Sequence, residues 1–266
     1  MLRQLYIRIL NGIAINYNAG DLMKYLNFQV SKSNLKNTRK IAPDSFKIKN
    51  VVLSLKFRED RRTSIQNNFE LLQIPFCFFD AIHGKTQKLK IRESIHLSPI
   101  SERYLSPGSL GCLASHISMW KELIESGYDG YLIFEDDIII HKTHSEIKEL
   151  IQNIPVDFDI VYLGSGSHKS RINMKKISPN LLKPFSVRKG AFCYLISKKG
   201  VHKILEQINE IKITCGGIDT ILGLLTMRNK IIAYHTYPSF CNVNIDSPSN
   251  IRNNSIPLKT LYKTEH

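Results

Sequence analysis

Tyr131-Leu-Ile-Phe-Glu-Asp-Asp-Ile-Ile-Ile140 sets three consecutive carboxylates into an apolar, β-branched run. Six of the seven flanking residues are Leu, Ile or Phe, the composition of a buried strand. Three adjacent negative charges at the end of such a strand are costly unless something offsets them. A divalent cation would do so, and hard oxygen ligands suit Mg2+ or Mn2+. The plainer alternative is a strand that ends in a solvated acidic turn. Against it, Ile138-Ile-Ile140 returns the chain to apolar sequence at once, so the acids interrupt a core element. Side chains alternate along a strand, so Glu135 and Asp137 are expected to share a face, with Asp136 opposite.

The neighbouring elements read outward from this strand. Upstream, Ser106-Pro107 supplies an N-cap and a first-turn proline. Leu110, Leu113, Ala114, Ile117, Trp120 and Ile124 then recur at helical spacing, with Gly127 at the expected C-cap. Further upstream, a strand at Lys49–Leu55, a helix bearing Ile65, Phe69 and Leu72, and a strand at Phe76–Phe79 form a βαβ unit. Downstream, Ser145 is expected to cap a short helix through Ile147, Leu150 and Ile151. Strands follow at Asp159–Gly164 and Ala191–Ile196, and Ser197 caps a helix carrying Val201, Ile204 and Ile208. Ile218, Ile221, Leu222 and Leu225 form a last helical face, and Ile231–Tyr234 a short strand. This alternation predicts an α/β fold around a mixed, mostly parallel sheet flanked by helices.

The 266 residues suffice for one substantial core with a small appendage. Residues 1–48 are expected to be a basic N-terminal extension, with the globular domain at 49–266. The first fifteen residues could form a surface amphipathic helix, and Ser31–Lys40 reads as a loop or tether. Five scattered cysteines without a CxxC pair argue for reduced thiols in a cytoplasmic setting, against a disulfide framework or a zinc site. No run is long and apolar enough to span a membrane, and the start lacks the marks of a secretory signal.

Charge is the strongest bulk signal, at +14. Residues 1–50 hold nine Lys/Arg against two Asp, and Lys169–Lys203 holds ten with no acid. Such a field attracts phosphates, in nucleic acid, in anionic lipid headgroups or in phosphorylated sugars. No RNP-type motif, zinc finger or helix-turn-helix accompanies the charge, so nucleic acid is not the expected partner.

Several ordered motifs resemble glycosyltransferase family 25, the bacterial lipooligosaccharide galactosyltransferases and their collagen-modifying relatives. They are Val51–Leu55 with Arg58, Arg61 and Arg62; Phe79-Asp-Ala-Ile-His-Gly84; and Gly111-Cys-Leu-Ala-Ser-His116 followed by Trp120. Leu132-Ile-Phe-Glu-Asp-Asp137, Gly190–Ser197 and Gly217-Ile-Asp219 complete the series. The chain departs from the family at Ser109, where a glutamate is usual, and at Ser54, where an asparagine is usual.

The resemblance implies a GT-A fold, a Rossmann-like arrangement in which a nucleotide-sugar lies across the carboxyl ends of the strands. It implies an inverting transferase that moves a hexose, galactose from UDP-galactose, onto a lipid-linked oligosaccharide acceptor with Mn2+ or Mg2+ as cofactor. Asp137 is the expected metal ligand and Glu135 a ligand of the metal or of the donor ribose, with His235 a candidate further ligand or simply a strand-end histidine. Asp219 is the expected catalytic base, or else an ordinary helix N-cap. The implied donor-binding set is Ser54, Arg58, Arg61, Arg62, Asp80, Gly84, Ser115, His116 and Asp136. The arginines could instead pair locally with Glu59 and Asp60, and Asp136 could hold its loop through backbone amides. His116 could equally be a packed core histidine. Tyr194 and Gly217 are expected at the acceptor side. The implied setting is the bacterial cytoplasm, peripheral on the inner face of an anionic membrane. A nucleic-acid-binding protein and an inactive glycan-binding relative are the alternatives.

Overall fold

A computed structural model describes residues 40–41, 45–95, 105–165, 174–185, 192–210 and 217–244. The expected N-terminal helix and most of the tether lie outside these residues, as do Gly190 and Gly216. The elements in chain order are β1 (Ile48–Ser54), α1 (Glu59–Leu71), β2 (Cys77–Asp80), α2 (Lys88–Ser94) and α3 (Pro107–Glu125). Then come β3 (Gly130–Glu135), β4 (Ile138–Ile140), α4 (His144–Gln152), β5 (Ile160–Gly164), β6 (Met174–Ser178) and β7 (Leu181–Pro184). The series closes with β8 (Cys193–Ser197), α5 (Lys198–Glu210), α6 (Ile218–Met227), β9 (Ala233–Thr236) and β10 (Cys241–Val243).

Eight strands form one sheet in the order β2-β1-β3-β8-β5-β9-β7-β6. β1 pairs in parallel with both β2 and β3, as the βαβ reading requires, and β5 pairs in parallel with β9. Only β8 and β7 run against the other strands, so the sheet is mixed with one dominant direction. Its central strands are apolar throughout because helices cover both faces. On one face α2, α3, α5 and α6 pack on Val51, Tyr131, Ile133, Tyr162 and Tyr194. On the other, α1 and α4 pack on Val52, Leu132, Phe134, Val161 and Leu195. Ile41 and Phe46 belong to this second core region, so the described part of residues 40–48 lies against the sheet body.

Local signals set several helix ends. Ser106 caps α3 by accepting from the Ser109 amide at 3.1 Å, with Pro107 in the first turn. Ser197 accepts from the Gly200 amide at 3.0 Å and starts α5 in the same way. Two expectations are corrected. Thr143, not Ser145, caps α4, because Glu146 three residues on completes a capping box with it. Helix α3 ends at Ser126 in extended conformation, one residue before Gly127.

The larger correction concerns the opening stretch. It is not one strand: the chain leaves the main sheet after Glu135, turns at Asp136-Asp137, and resumes as β4. Strand β4 pairs antiparallel with β10 in a separate two-stranded ribbon, Ile138 opposite Val243 and Ile140 opposite Cys241. The acids therefore sit on a bend between two sheets.

The loop after β2 lies flush on α3. A Cβ at Gly84 would collide with the Pro107 carbonyl, and one at Gly111 with the Ile82 carbonyl and, at 2.7 Å, the Gly84 amide nitrogen. Neither backbone can retreat without parting the loop from the helix. Gly84→Ala and Gly111→Ala are each expected to cost about 1–3 kcal/mol or more, read as a lower urea midpoint.

Candidate functional site

A cleft opens at the carboxyl ends of β1, β2 and β3, where ligands of open α/β sheets bind. Its walls come from Leu53 and Ser54 of β1, the Ala81–Lys85 loop, Cys112 and Ser115 of α3, and Glu135–Asp137. Four segments distant in sequence, the acidic turn among them, thus meet here.

The three carboxylates have different environments. Asp136 is tied into protein: Arg61 Nη1 donates to its Oδ1 at 2.6 Å and Ser54 Oγ to its Oδ2 at 2.7 Å. Arg61 and Asp136 are both nearly solvent-free, with side chains 6% and 8% exposed, so this is a buried ion pair. Its partners are side chains rather than the backbone amides of the alternative reading. Arg61 also reaches Asp137 Oδ2 at 3.3 Å. The other oxygen, Asp137 Oδ1, is buried without a hydrogen-bond partner among the described residues. Glu135 turns toward α3, its Oε1 3.6 Å from His116 Nε2. Burial, and then the charges of Asp137, Asp219 and Asp136, push the Glu135 carboxyl well above the usual range. Burial also raises Asp137, opposed by the adjacent Arg61 guanidinium. Such a cluster of ionisable acids in a cleft is unfavourable without a positive counter-charge.

Asp219 lies in the first turn of α6, half-buried. The helix N-cap is Gly217, which has no side chain to cap with, so Asp219 is not that cap. Its charge is felt by Glu135, Cys112 and Tyr162, which places it beside the acidic turn although 80-odd residues of chain intervene.

Arg58 pairs with Asp60 at 2.7 Å at the start of α1, the local pairing foreseen as the alternative. Arg62 bonds the Ser54 carbonyl at 3.0 Å and pairs with Asp80, joining the ends of β1 and β2. Ser115 is buried, accepts from the Ile82 amide at 2.8 Å and donates to the Gly111 carbonyl, so it positions the Gly84 loop. His116 is fully buried and bonds Tyr194 Oη through Nδ1 at 2.7 Å, while Trp120 Nε1 donates to the same oxygen at 3.2 Å. Tyr194 is thus enclosed behind His116, within the core. His235 is also buried: Nε2 meets Ser165 Oγ at 2.8 Å, Nδ1 meets the Thr236 carbonyl at 2.7 Å, and the ring stacks on Tyr162. Both His235 nitrogens are engaged by protein groups. Cys112 and Tyr162 were not foreseen. The signal for Cys112 was its position four residues before His116 on one helix, which puts both on one face.

The description "Glycosyltransferase family 25 (LPS biosynthesis protein)" belongs to a family model that matches residues 47–221. The chain belongs to glycosyltransferase family 25. The described sheet, with helices on both faces and a cleft at the strand ends, is the GT-A arrangement expected of that family. Procollagen galactosyltransferase 1-A of Xenopus laevis is 27% identical over 215 residues, 73% of this chain and 34% of that protein. "Probable inactive glycosyltransferase 25 family member 3" of Bos taurus is 25% identical over 169 residues, 58% of this chain and 28% of that protein. This family 25 chain therefore spans about a third or less of the length of these relatives. The apo structure of mouse xyloside xylosyltransferase 1 aligns at a TM-score of 0.39 with 9% identity, covering 79% of this chain and 78% of that one. The usual family 25 glutamate that is Ser109 here would stand third in helix α3, the partner position of a capping box with Ser106. That departure falls at a helix cap, where Ser109 bonds Ser106 through its amide and at 2.9 Å between hydroxyls.

Proposed function

We propose that the protein is an inverting, metal-dependent transferase that moves galactose from UDP-galactose onto a lipooligosaccharide or lipopolysaccharide acceptor. The observation that carries this reading is the acidic turn lining the cleft, where one buried oxygen of Asp137 has no hydrogen-bond partner among the described residues and Glu135 feels the charges of Asp137 and Asp219. The family description as an LPS biosynthesis protein supports the acceptor class, and the galactosyltransferase name of the frog relative supports the sugar.

An all-oxygen set suits Mg2+ or Mn2+, and the orphaned oxygen fits such an ion, so Glu135 and Asp137 would hold it. When bound, the cation would neutralise charge developing on the diphosphate leaving group. His235, with both nitrogens engaged, would contribute only after breaking an existing bond. The protein's own part is positional. Arg61 and Ser54 fix Asp136 and hence the bend, Arg62 and Asp80 brace the ends of β1 and β2, and Ser115 sets the Gly84 loop that walls the cleft. Asp219 is the proposed base, removing the proton of the acceptor hydroxyl as it attacks the anomeric carbon. Gly217, the proposed acceptor-side residue, is the N-cap of α6 two residues before Asp219.

We further assign the basic residues upstream of Lys40 and those of the 169–203 stretch to contact with the anionic inner face of the bacterial cytoplasmic membrane, where lipid-linked acceptors lie, while the globular unit expected at 49–266 also takes in Ile41 and Phe46. No described helix is long and apolar enough to cross a membrane.

A nucleotide-sugar screen for Mn2+-dependent turnover tests the proposal, paired with thermal melting. UDP plus Mn2+ is expected to raise the melting temperature, and UDP-galactose to be hydrolysed or transferred. Melting that ignores UDP and Mn2+, together with steeply salt-dependent RNA or DNA binding, would sink it. Stabilisation by glycan alone, with no turnover of any sugar nucleotide, would mark an inactive relative.

A further inference from the structure

The acidic turn is not the whole of the charged chemistry at this end of the sheet. Cys112 and His116 stand one turn apart on the same face of α3, directly opposite Glu135 at the end of β3. Cys112 Sγ, a ring nitrogen of His116 and a carboxylate oxygen of Glu135 all lie within 4.8 Å of one another. We propose that these three side chains form a second cation site, for a borderline metal such as Zn2+, that shares Glu135 with the cleft.

Three observations carry the proposal. First, His116 Nε2 is buried and has no hydrogen-bond partner among the described residues, although it points at Glu135. An imidazole nitrogen left so is costly in a close-packed interior. Second, the 3.6 Å from Nε2 to Glu135 Oε1 is too long for a hydrogen bond. Two ligands each about 2.0–2.2 Å from a tetrahedral ion stand roughly 3.3–3.6 Å apart, so the spacing is that of an ion's coordination edge. Third, the other ring nitrogen is held: Tyr194 Oη lies 2.7 Å from Nδ1 and is itself fixed by Trp120. That outer bond orients the imidazole, as partners of metal-bound histidines do.

The donor set names the metal. A thiolate and an imidazole favour Zn2+ over Mg2+ or Mn2+, whereas Glu135 with Asp137 offers oxygen alone. Three protein ligands leave a fourth position, and Cys112 and Glu135 both line the cleft, so that position faces it. On binding, the Cys112 thiol gives its proton to solvent and the thiolate takes the metal. Zn2+ held here draws Glu135 toward α3 and away from Asp137. The ion would therefore compete with the hard cation for one carboxylate and act as an inhibitor of its site. The binding itself does not depend on the sugar-transfer reading.

The experiment is a Co2+ titration of the full chain followed by absorption. A thiolate-to-cobalt charge-transfer band in the near ultraviolet is expected, bleached by Zn2+ and at least tenfold weaker at equal Co2+ in Cys112→Ser. No band, or an undiminished band in Cys112→Ser, overturns the proposal. Thiol alkylation of the unaltered protein, read at the Cys112 peptide by mass spectrometry, keeps the test independent of how the variant folds. Zn2+ is expected to slow that labelling at least tenfold and Mg2+ to leave it unchanged. Equal rates with and without Zn2+ overturn the site.

Discussion

Asp137→Ala is expected to lower Mn2+-dependent release of UDP from UDP-galactose by at least about a hundredfold while the protein stays folded. The size follows from the role proposed: a cation at a diphosphate supplies several kcal/mol of charge stabilisation, and each 1.4 kcal/mol is tenfold in rate. Retention of the fold follows from the surroundings. Among the described residues one Asp137 oxygen has no hydrogen-bond partner to lose, and the other meets Arg61 at 3.3 Å, farther than Asp136 does. Removing the charge also relieves Glu135, whose carboxyl Asp137 helps to push up. Melting of the metal-free variant is therefore expected at or above the parent temperature, and UDP plus Mn2+ should no longer raise it. Full turnover in the variant would remove Asp137 from the metal.

Arg61→Met should produce the largest loss of stability. Arg61 and Asp136 are both withdrawn from water, and breaking a buried pair by removing one partner costs about 3–5 kcal/mol. Among the described residues Asp136 would keep the Ser54 hydroxyl alone, and the guanidinium that opposes the raised Asp137 would be gone. A fall in melting temperature on the order of 10 °C is expected for a domain of this size. Adding Asp136→Asn should recover a good part of it, because the charge left unpaired would then be absent. Single and double variants melted together give the coupling directly, and additive losses would contradict the ion-pair account.

How much of this was legible depends on how local each cause is. The βαβ unit and the Ser106 and Ser197 caps were readable because their determinants lie within a few residues. The bend after Glu135 was not. An apolar run around acids has the same pattern whether the strand continues or turns. What turns it is remote: Arg61, 75 residues back, holds Asp136, and β10 captures the three isoleucines after it. Strand alternation would have brought Glu135 and Asp137 together on one face, whereas the turn itself brings them close. The β6–β7 hairpin was missed because its lysines made the segment look like a solvated basic stretch. The arginines matched family 25 in position, yet sequence could not say that Arg58 pairs within its own turn while Arg61 reaches the acids. Cys112 was not legible as a ligand because its companion is a histidine one helical turn away rather than a second cysteine at paired spacing.

The pairing of β4 with β10 has a bearing on where this protein can be cut. The family match stops at residue 221, but β9 fills a place between β5 and β7, and β10 moors the segment that follows the acids. A fragment trimmed to the family match would lack a plank from the middle of its floor and the clasp on its acidic corner. The smallest fragment expected to keep the acidic turn in place therefore runs past Val243, beyond the end of the family match.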